Sequence, residues 1–166
     1  MEKTQHFLLR ANLLFEADEA TEKVKKCGIK YLQLHSLSDN EISKIKDVNI
    51  IRAIGIPDYL DDEKIKEIES IAGVCKYLLF DSLIRGKSGG TGKQIPLNIV
   101  KKAAETAKTI NKDIIIFLAG GMNSERMKKE GYVIKSVFDY VDLNSGVEDS
   151  PGVKNETKIK EFLEYL

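Results

Sequence analysis

Asp113-Ile114-Ile115-Ile116-Phe117-Leu118-Ala119-Gly120-Gly121 is an almost uninterrupted apolar run that stops on a glycine pair. A strand buried on both faces reads this way, and such strands belong to parallel sheets covered by helices. The flanking residues agree. Upstream, Ile99, Ala103, Ala107 and Ile110 recur at the period of an amphipathic helix. Downstream, Ser124 to Glu130 reads as a short helix, and Phe138 to Leu143 as a further strand that ends in Asn144-Ser145-Gly146.

The same alternation runs back to the N-terminus. Phe7 to Phe15 reads as a strand, followed by a helix over Glu16 to Cys27 with Ala17, Ala20 and Val24 on one face. Tyr31 to His35 is the second strand. Ser38-Asp39-Asn40-Glu41 has the form of a capping box, opening a short helix with Ile42 and Ile45 inward. Asn49 to Ile56 is the third strand, broken by Pro57. Asp61 and Asp62 are cap candidates for a helix lined by Ile65, Ile68 and Ala72. Lys76 to Phe80 is the fourth strand, ending in Asp81 and entering a glycine-rich loop, Gly86 to Gly92. A closing helix, Glu156 to Leu166, places Ile159, Phe162, Leu163 and Leu166 on one stripe.

Strands alternating with helices imply an α/β fold with a parallel sheet, because parallel neighbours need crossover connections. A doubly wound sheet advertises a glycine-rich turn after its first strand, and Asn12 to Glu16 holds no glycine. Polar and glycine residues instead follow several strands, at His35, Asp81, Gly120-Gly121 and Ser145-Gly146. That distribution suits a (β/α) barrel of the TIM type, whose site draws on many strand ends at one face. The expectation is one barrel-like domain over residues 1–166, incomplete, with about six parallel βα units against the eight of a closed barrel. Six such strands leave two open edges that invite association. Either a homo-oligomer or a complementing chain would cover them, or the sequence is truncated.

The chain has 166 residues, enough for a core without disulfides or metal clips. Lys+Arg number 26 and Asp+Glu number 26, so no global field favours nucleic acid or an anionic membrane, and any anion site must be local. Cys27 and Cys75 show neither C-x-x-C spacing nor a neighbouring histidine motif, which removes zinc and thioredoxin-like readings. No apolar run approaches the roughly 20 residues of a membrane span. The expectation is a soluble, cytoplasmic protein with no metal and no membrane partner.

Several residues could carry chemistry. Asp81 directly follows an apolar strand, where partial burial would raise a carboxyl pKa toward that of a general acid; a loop-fixing hydrogen bond is the other reading. His35 ends its strand, in a functional or a structural role. Ser88-Gly89-Gly90-Thr91-Gly92-Lys93 could cradle an anion, close as a lid, or simply connect. It is no P-loop, since Gln94 follows the lysine. Gly120-Gly121 with Asn123, and Asn144-Ser145-Gly146, close the last two strands. Barrels often bind phosphate there through bare backbone donors. Asp142 precedes the second of these loops, facing either backbone or a substrate hydroxyl.

The chain resembles the phosphoribosylanthranilate isomerases, barrel enzymes of tryptophan biosynthesis. The resemblance is carried by Leu32-Gln33-Leu34-His35, Leu78-Leu79-Phe80-Asp81-Ser82, Gly89-Gly90-Thr91-Gly92-Lys93, Leu118-Ala119-Gly120-Gly121-Met122-Asn123, and Val141 to Glu148 continuing through Pro151-Gly152-Val153-Lys154. In order and spacing these follow the family from its third strand to its C-terminus, so its first two βα units have no counterpart here. The resemblance implies an Amadori rearrangement of a phosphoribosyl amine without metal or cofactor. It implies Asp81 as the acid that opens the ribose ring, and Gly120, Gly121, Ser145 and Gly146 as phosphate ligands. Gln33, His35 and Asp142 would line the pocket, beneath a loop of Gly89, Gly90, Thr91, Gly92 and Lys93.

Departures from the family also show. Its general-base cysteine, in a Lys-x-Cys-Gly motif on the first strand, and an arginine after the second have no counterpart. Lys26-Cys27-Gly28-Ile29 imitates that motif but precedes the Tyr31 strand, a helix-to-strand turn at the wrong face. Cys75 also precedes its strand. Ile95-Pro96-Leu97 replaces the family's Phe-Asp-Trp. The alternative function is therefore a catalytically impaired phosphosugar-binding barrel fragment that has lost proton abstraction, or a subunit needing a partner chain.

Overall fold

The computed structural model describes residues 8–11, 21–22, 24–26, 28, 30–35, 42, 44–84, 87–88 and 93–166. Four strands, β1 (Leu8–Ala11), β2 (Tyr31–Leu34), β3 (Asn49–Ile56) and β4 (Tyr77–Ile84), lie side by side in sequence order, each parallel to the next. Lys87–Ser88 (β5) folds back antiparallel onto Leu83 and Ile84. The parallel series resumes with β6 (Ile115–Leu118) beside β4 and β7 (Tyr140–Val141) beside β6. Six parallel strands thus share one sheet, and among the described residues β1 and β7 do not pair to close a barrel.

Helices bridge the parallel neighbours: α1 (Asp62–Val74), α2 (Leu97–Ile110), α3 (Ser124–Val137) and, after β7, α4 (Glu156–Leu163). Local chemistry sets their starts. The side chains of Asp61, Asn123 and Asn155 accept the N–H of Lys64, Arg126 and Lys158, satisfying donors that the first turn leaves open. Between the last strand and α4 a short antiparallel hairpin pairs β8 (Glu148–Ser150) with β9 (Val153–Lys154) across Pro151-Gly152.

Alternate strand residues face two different layers. Ile54, Ile56, Leu78, Phe80, Ile116 and Leu118 pack on the helices with Val100, Ala103, Ala107 and Phe162 in the main core. The opposite face gathers Ile51, Ala53, Tyr77, Leu79 and Ala119, with Tyr31, Ile115 and Phe117 only half-buried against them. Covering the sheet with helices on one face and leaving the other to side chains alone is how a barrel is built. Among the described residues no helix is long and apolar enough to cross a membrane.

Several expected boundaries differ. β4 does not stop at Phe80 but continues through Asp81 to Ile84, because β3 and then β5 keep supplying hydrogen-bond partners. β6 is not buried on both faces: Ile115 and Phe117 are half-buried, since the inner face lacks the opposing strands of a closed barrel. In α2 the buried stripe is Val100, Ala103, Ala104 and Ala107, leaving Ile110 48% exposed. The short helix at Ser124 runs on to Val137, and the last strand shrinks to Tyr140–Val141. In α4 only Phe162 is fully buried, while Leu163 and Leu166 face outward and Tyr165 packs on the core instead. The Ser38-to-Glu41 capping box lies outside the described residues.

Candidate active site

Strand register assembles the site. Gln33, Ile51, Tyr77 and Ile115 are aligned across β2, β3, β4 and β6 and form one inner layer, just above Tyr31. Two residues on, Ala53, Leu79, Phe117 and Tyr140 form the next, with His35 continuing the β2 side of that layer. One layer higher, about 6.6 Å along the strands, come Gly55, Asp81, Ala119 and Asp142. Gly55 pairs with Asp81, while Phe80, Leu118 and Val141 align just before the last three residues. Asp81 and Asp142 thus reach one rim from strands separated only by β6.

The rim is tightly connected. Ala119 N–H donates to Phe80 O at 2.8 Å, and Asp142 N–H donates to Leu118 O at 2.8 Å. Asp81 is 5% exposed, and its Oδ1 accepts the N–H of Ser82 at 2.7 Å. Both Gly120 and Gly121 are left-handed, with φ of 78° and 62°. A Cβ on Gly120 would lie 3.0 Å from Ser82 N and 3.2 Å from Asp81 Oδ1, so only glycine lets the β6 turn approach the carboxylate. Gly146 comes closer still: a Cβ there would stand 1.9 Å from the Met122 carbonyl oxygen. Asp81 and Ser82 within β4, the turn after Leu118 of β6 and the loop that follows β7 are therefore neighbours around one mouth.

Gln33 and His35 form a separate pair, lower and toward the β1 edge. Gln33 is fully buried; its Nε2 is hydrogen-bonded to His35 Nε2 at 3.0 Å, and its Oε1 has no partner among the described residues. Asn123 caps α3, its Oδ1 accepting the N–H of Arg126 at 2.8 Å. Ser145 opens a single 3-10 turn to Val147, rather than following a long strand. Gly89, Gly90, Thr91 and Gly92 lie outside the described residues. Lys93, at the loop's end, pairs with Asp58 beyond β3 at 2.7 Å, which joins the loops after two neighbouring strands.

Cys75 does not reach the mouth. Cys75 is the C-cap of α1, donating its N–H to Ile71 O, at the end of β4 remote from Asp81. Cys27 lies outside the described residues. No cluster of three His, Cys, Asp or Glu suited to a metal occurs among the described residues.

Sequence reasoning passed over the residues that brace these loops. Arg126 on α3 is 2% exposed and donates to Gly120 O at 3.2 Å and Ile95 O at 2.7 Å, with its Nε on Glu130 at 2.9 Å. Its spacing to Glu130 looks like an ordinary surface pair of a helix, so only the tertiary fold reveals its burial. Gln94 Nε2 donates to Gly121 O at 3.0 Å. Lys154 Nζ donates to Asn144 O at 3.0 Å, Asn144 Oδ1 at 2.7 Å and Glu148 Oε1 at 2.7 Å. Pro151-Gly152 between short polar runs was a readable hairpin signal for this last group. The hydrogen bond from Lys154 holds the Glu148 carboxyl below the usual carboxylate range, and those from Lys158 and Asn155 do the same for Asp149.

Comparison with known proteins agrees with this geometry. The model of the family described as N-(5'phosphoribosyl)anthranilate (PRA) isomerase matches residues 15–165. The chain is 30% identical over 166 residues to the N-(5'-phosphoribosyl)anthranilate isomerase of Methanothermobacter marburgensis, covering 95% of this chain and 71% of that protein. Against the Methanococcus aeolicus relative of the same name it is 34% identical over 154 residues, covering 90% and 69%. The solved phosphoribosyl anthranilate isomerase of Thermus thermophilus shares the fold, with a TM-score of 0.70 at 20% identity over 95% of this chain and 69% of that one. The Thermococcus kodakaraensis structure gives 0.65 at 25% identity, covering 95% and 72%. With the family model spanning nearly the whole chain and the strand tips meeting at one rim, the chain belongs to the N-(5'-phosphoribosyl)anthranilate isomerase family.

Proposed function

We propose that the chain binds phosphoribosylanthranilate at this rim and takes part in its Amadori rearrangement, an aldose-to-ketose isomerisation in tryptophan biosynthesis. The carrying observation is the common layer of Asp81, Ala119 and Asp142 beside the Gly120-Gly121 and Ser145-Gly146 turns. In this reading Asp81 donates its proton to the ribose ring oxygen. The C1–O bond breaks as the nitrogen lone pair forms a C1=N bond, and a base then removes the C2 proton to give the enol, which tautomerises to the ketone. Gly120, Gly121, Ser145 and Gly146 hold the phosphate; Gln33, His35 and Asp142 line the pocket; Gly89 to Lys93 cover it. The chemistry needs no metal or cofactor.

We further infer that the six parallel strands are the third to eighth of the family's barrel. The glycine turns after the last two strands, and coverage of 69–72% of the solved relatives, support that assignment. A general base would then come from the two units not represented here. A second reading, phosphosugar binding without turnover, is favoured by one observation: among the described residues no cysteine stands at the mouth. Losing a positioned base removes about 10² to 10⁴ in rate.

The two readings separate in one assay. Isomerisation of phosphoribosylanthranilate is measured for the chain alone and after adding the first two βα units of a full-length relative as a separate polypeptide. Turnover that appears on addition and vanishes in Asp81→Asn, with inorganic phosphate affinity kept within a few fold, supports the isomerase. Phosphate binding with no turnover in either arrangement supports the binding protein. Unchanged turnover in Asp81→Asn retires Asp81 as the acid.

A further inference from the structure

Two cations stand behind the loops of the rim, and each grips a carbonyl. Arg126 holds Gly120 O at 3.2 Å, and Lys154 holds Asn144 O at 3.0 Å. A carbonyl shares one planar trans peptide unit with the N–H of the following residue, and in such a unit the two groups point opposite ways. Drawing Gly120 O back toward Arg126 therefore turns the Gly121 N–H away from it. Lys154 does the same for the Ser145 N–H. Among the described residues neither N–H donates to a backbone carbonyl. Gln94 adds a third restraint by holding Gly121 O at 3.0 Å.

We propose that Arg126 and Lys154 are positioning residues of the phosphate site, fixing the Gly120–Gly121 and Asn144–Ser145 peptide planes so that both N–H groups are preset for one phosphate. The inference rests on reading these turns as the phosphate site, as proposed above. Geometry outweighs charge here, because Glu130 on Arg126 and Glu148 on Lys154 neutralise much of both cations. Donors already aimed need no reorganisation when the anion arrives, which is the advantage of a preorganised site. Burial of Arg126 and the three acceptors on Lys154 restrict both to one arrangement.

The test titrates inorganic phosphate into the 15N-labelled chain and follows the Gly121 and Ser145 amides. Both should shift saturably in the wild type. Lys154→Met should weaken phosphate by about tenfold, as loss of a charge-assisted hydrogen bond does, with the Ser145 response lost before that of Gly121. Arg126→Lys keeps the charge in a buried position but loses the fork, and should reverse that order. Lys158→Met removes a neighbouring cation bonded to Glu148 O and Asp149, not to the loop; its affinity should stay within about twofold of wild type. Wild-type affinity in both loop variants, or equal losses in Lys154→Met and Lys158→Met, overturns the inference while the phosphate site stands. A wild type in which neither amide responds overturns the phosphate reading itself, and the inference with it.

Discussion

Gly146 and Gly120 show how much of the rim depends on single atoms. A methyl on Gly146 would overlap the Met122 carbonyl oxygen, backbone against backbone, so Gly146→Ala must displace the turn. We predict that Gly146→Ala abolishes measurable phosphate binding while the far-ultraviolet circular dichroism is kept. Gly120→Ala forces an L-residue to φ near 78° and presses on Ser82 N. Its expected cost is roughly 1–3 kcal/mol in chemical denaturation; a change below a few tenths would show that the turn relaxes freely. The glycines themselves were legible in the sequence. What made each indispensable was not, because a left-handed φ and a carbonyl across the loop belong to the packing of two strand ends. Arg126 is the converse case, since its position on a helix suggests solvent and its surroundings give it three acceptors, two of them backbone carbonyls.

At the level of elements, α4 and the β8–β9 hairpin act together behind the last loop. Phe162 is fully buried from α4 into the sheet-helix core, so Phe162→Ala should destabilise by about 3–5 kcal/mol, read from the urea midpoint at unchanged m-value. The hairpin should respond to acid. Glu148 and Asp149 have carboxyl pKa values depressed by their lysine partners, so their contribution is present above the unfolded-state value near 4 and is lost as pH falls through the lower folded values. Amide exchange at Glu148 and Val153 should therefore accelerate below about pH 4 ahead of exchange in α2, whose core contacts are uncharged alanines and Val100; simultaneous opening would refute it. The start of α1 was readable from Asp61, as were the bounds of β3, ended by Pro57, whereas the caps at Asn123 and Asn155 emerged only in the structure. The continuation of β4 past Asp81 was not, since it depends on partners from β3 and β5 that no local signal announces.

At the scale of the whole molecule, the sheet of the described residues is open. β1 and β7 end the parallel series without pairing each other among the described residues, and Tyr140 on β7 is 57% exposed although it stacks on Phe117 at 4.7 Å. An edge of that kind recruits strands. The chain on its own is expected to associate at micromolar concentration, and Tyr140→Lys should shift sedimentation toward the monomer; a monomeric wild type would count against edge pairing. The sequence by itself determined the alternation of strands and helices, the parallel sheet, the barrel type and the identity of the glycines and aspartates at the strand ends, because period and punctuation are local properties of a chain. Only the tertiary structure decided that Asp81, Ala119 and Asp142 share one layer, that Gln33 and His35 lie below it, and that Arg126 and Lys154 stand behind the loops. Those facts follow from inter-strand register and helix packing, which are set by residues far apart in the sequence.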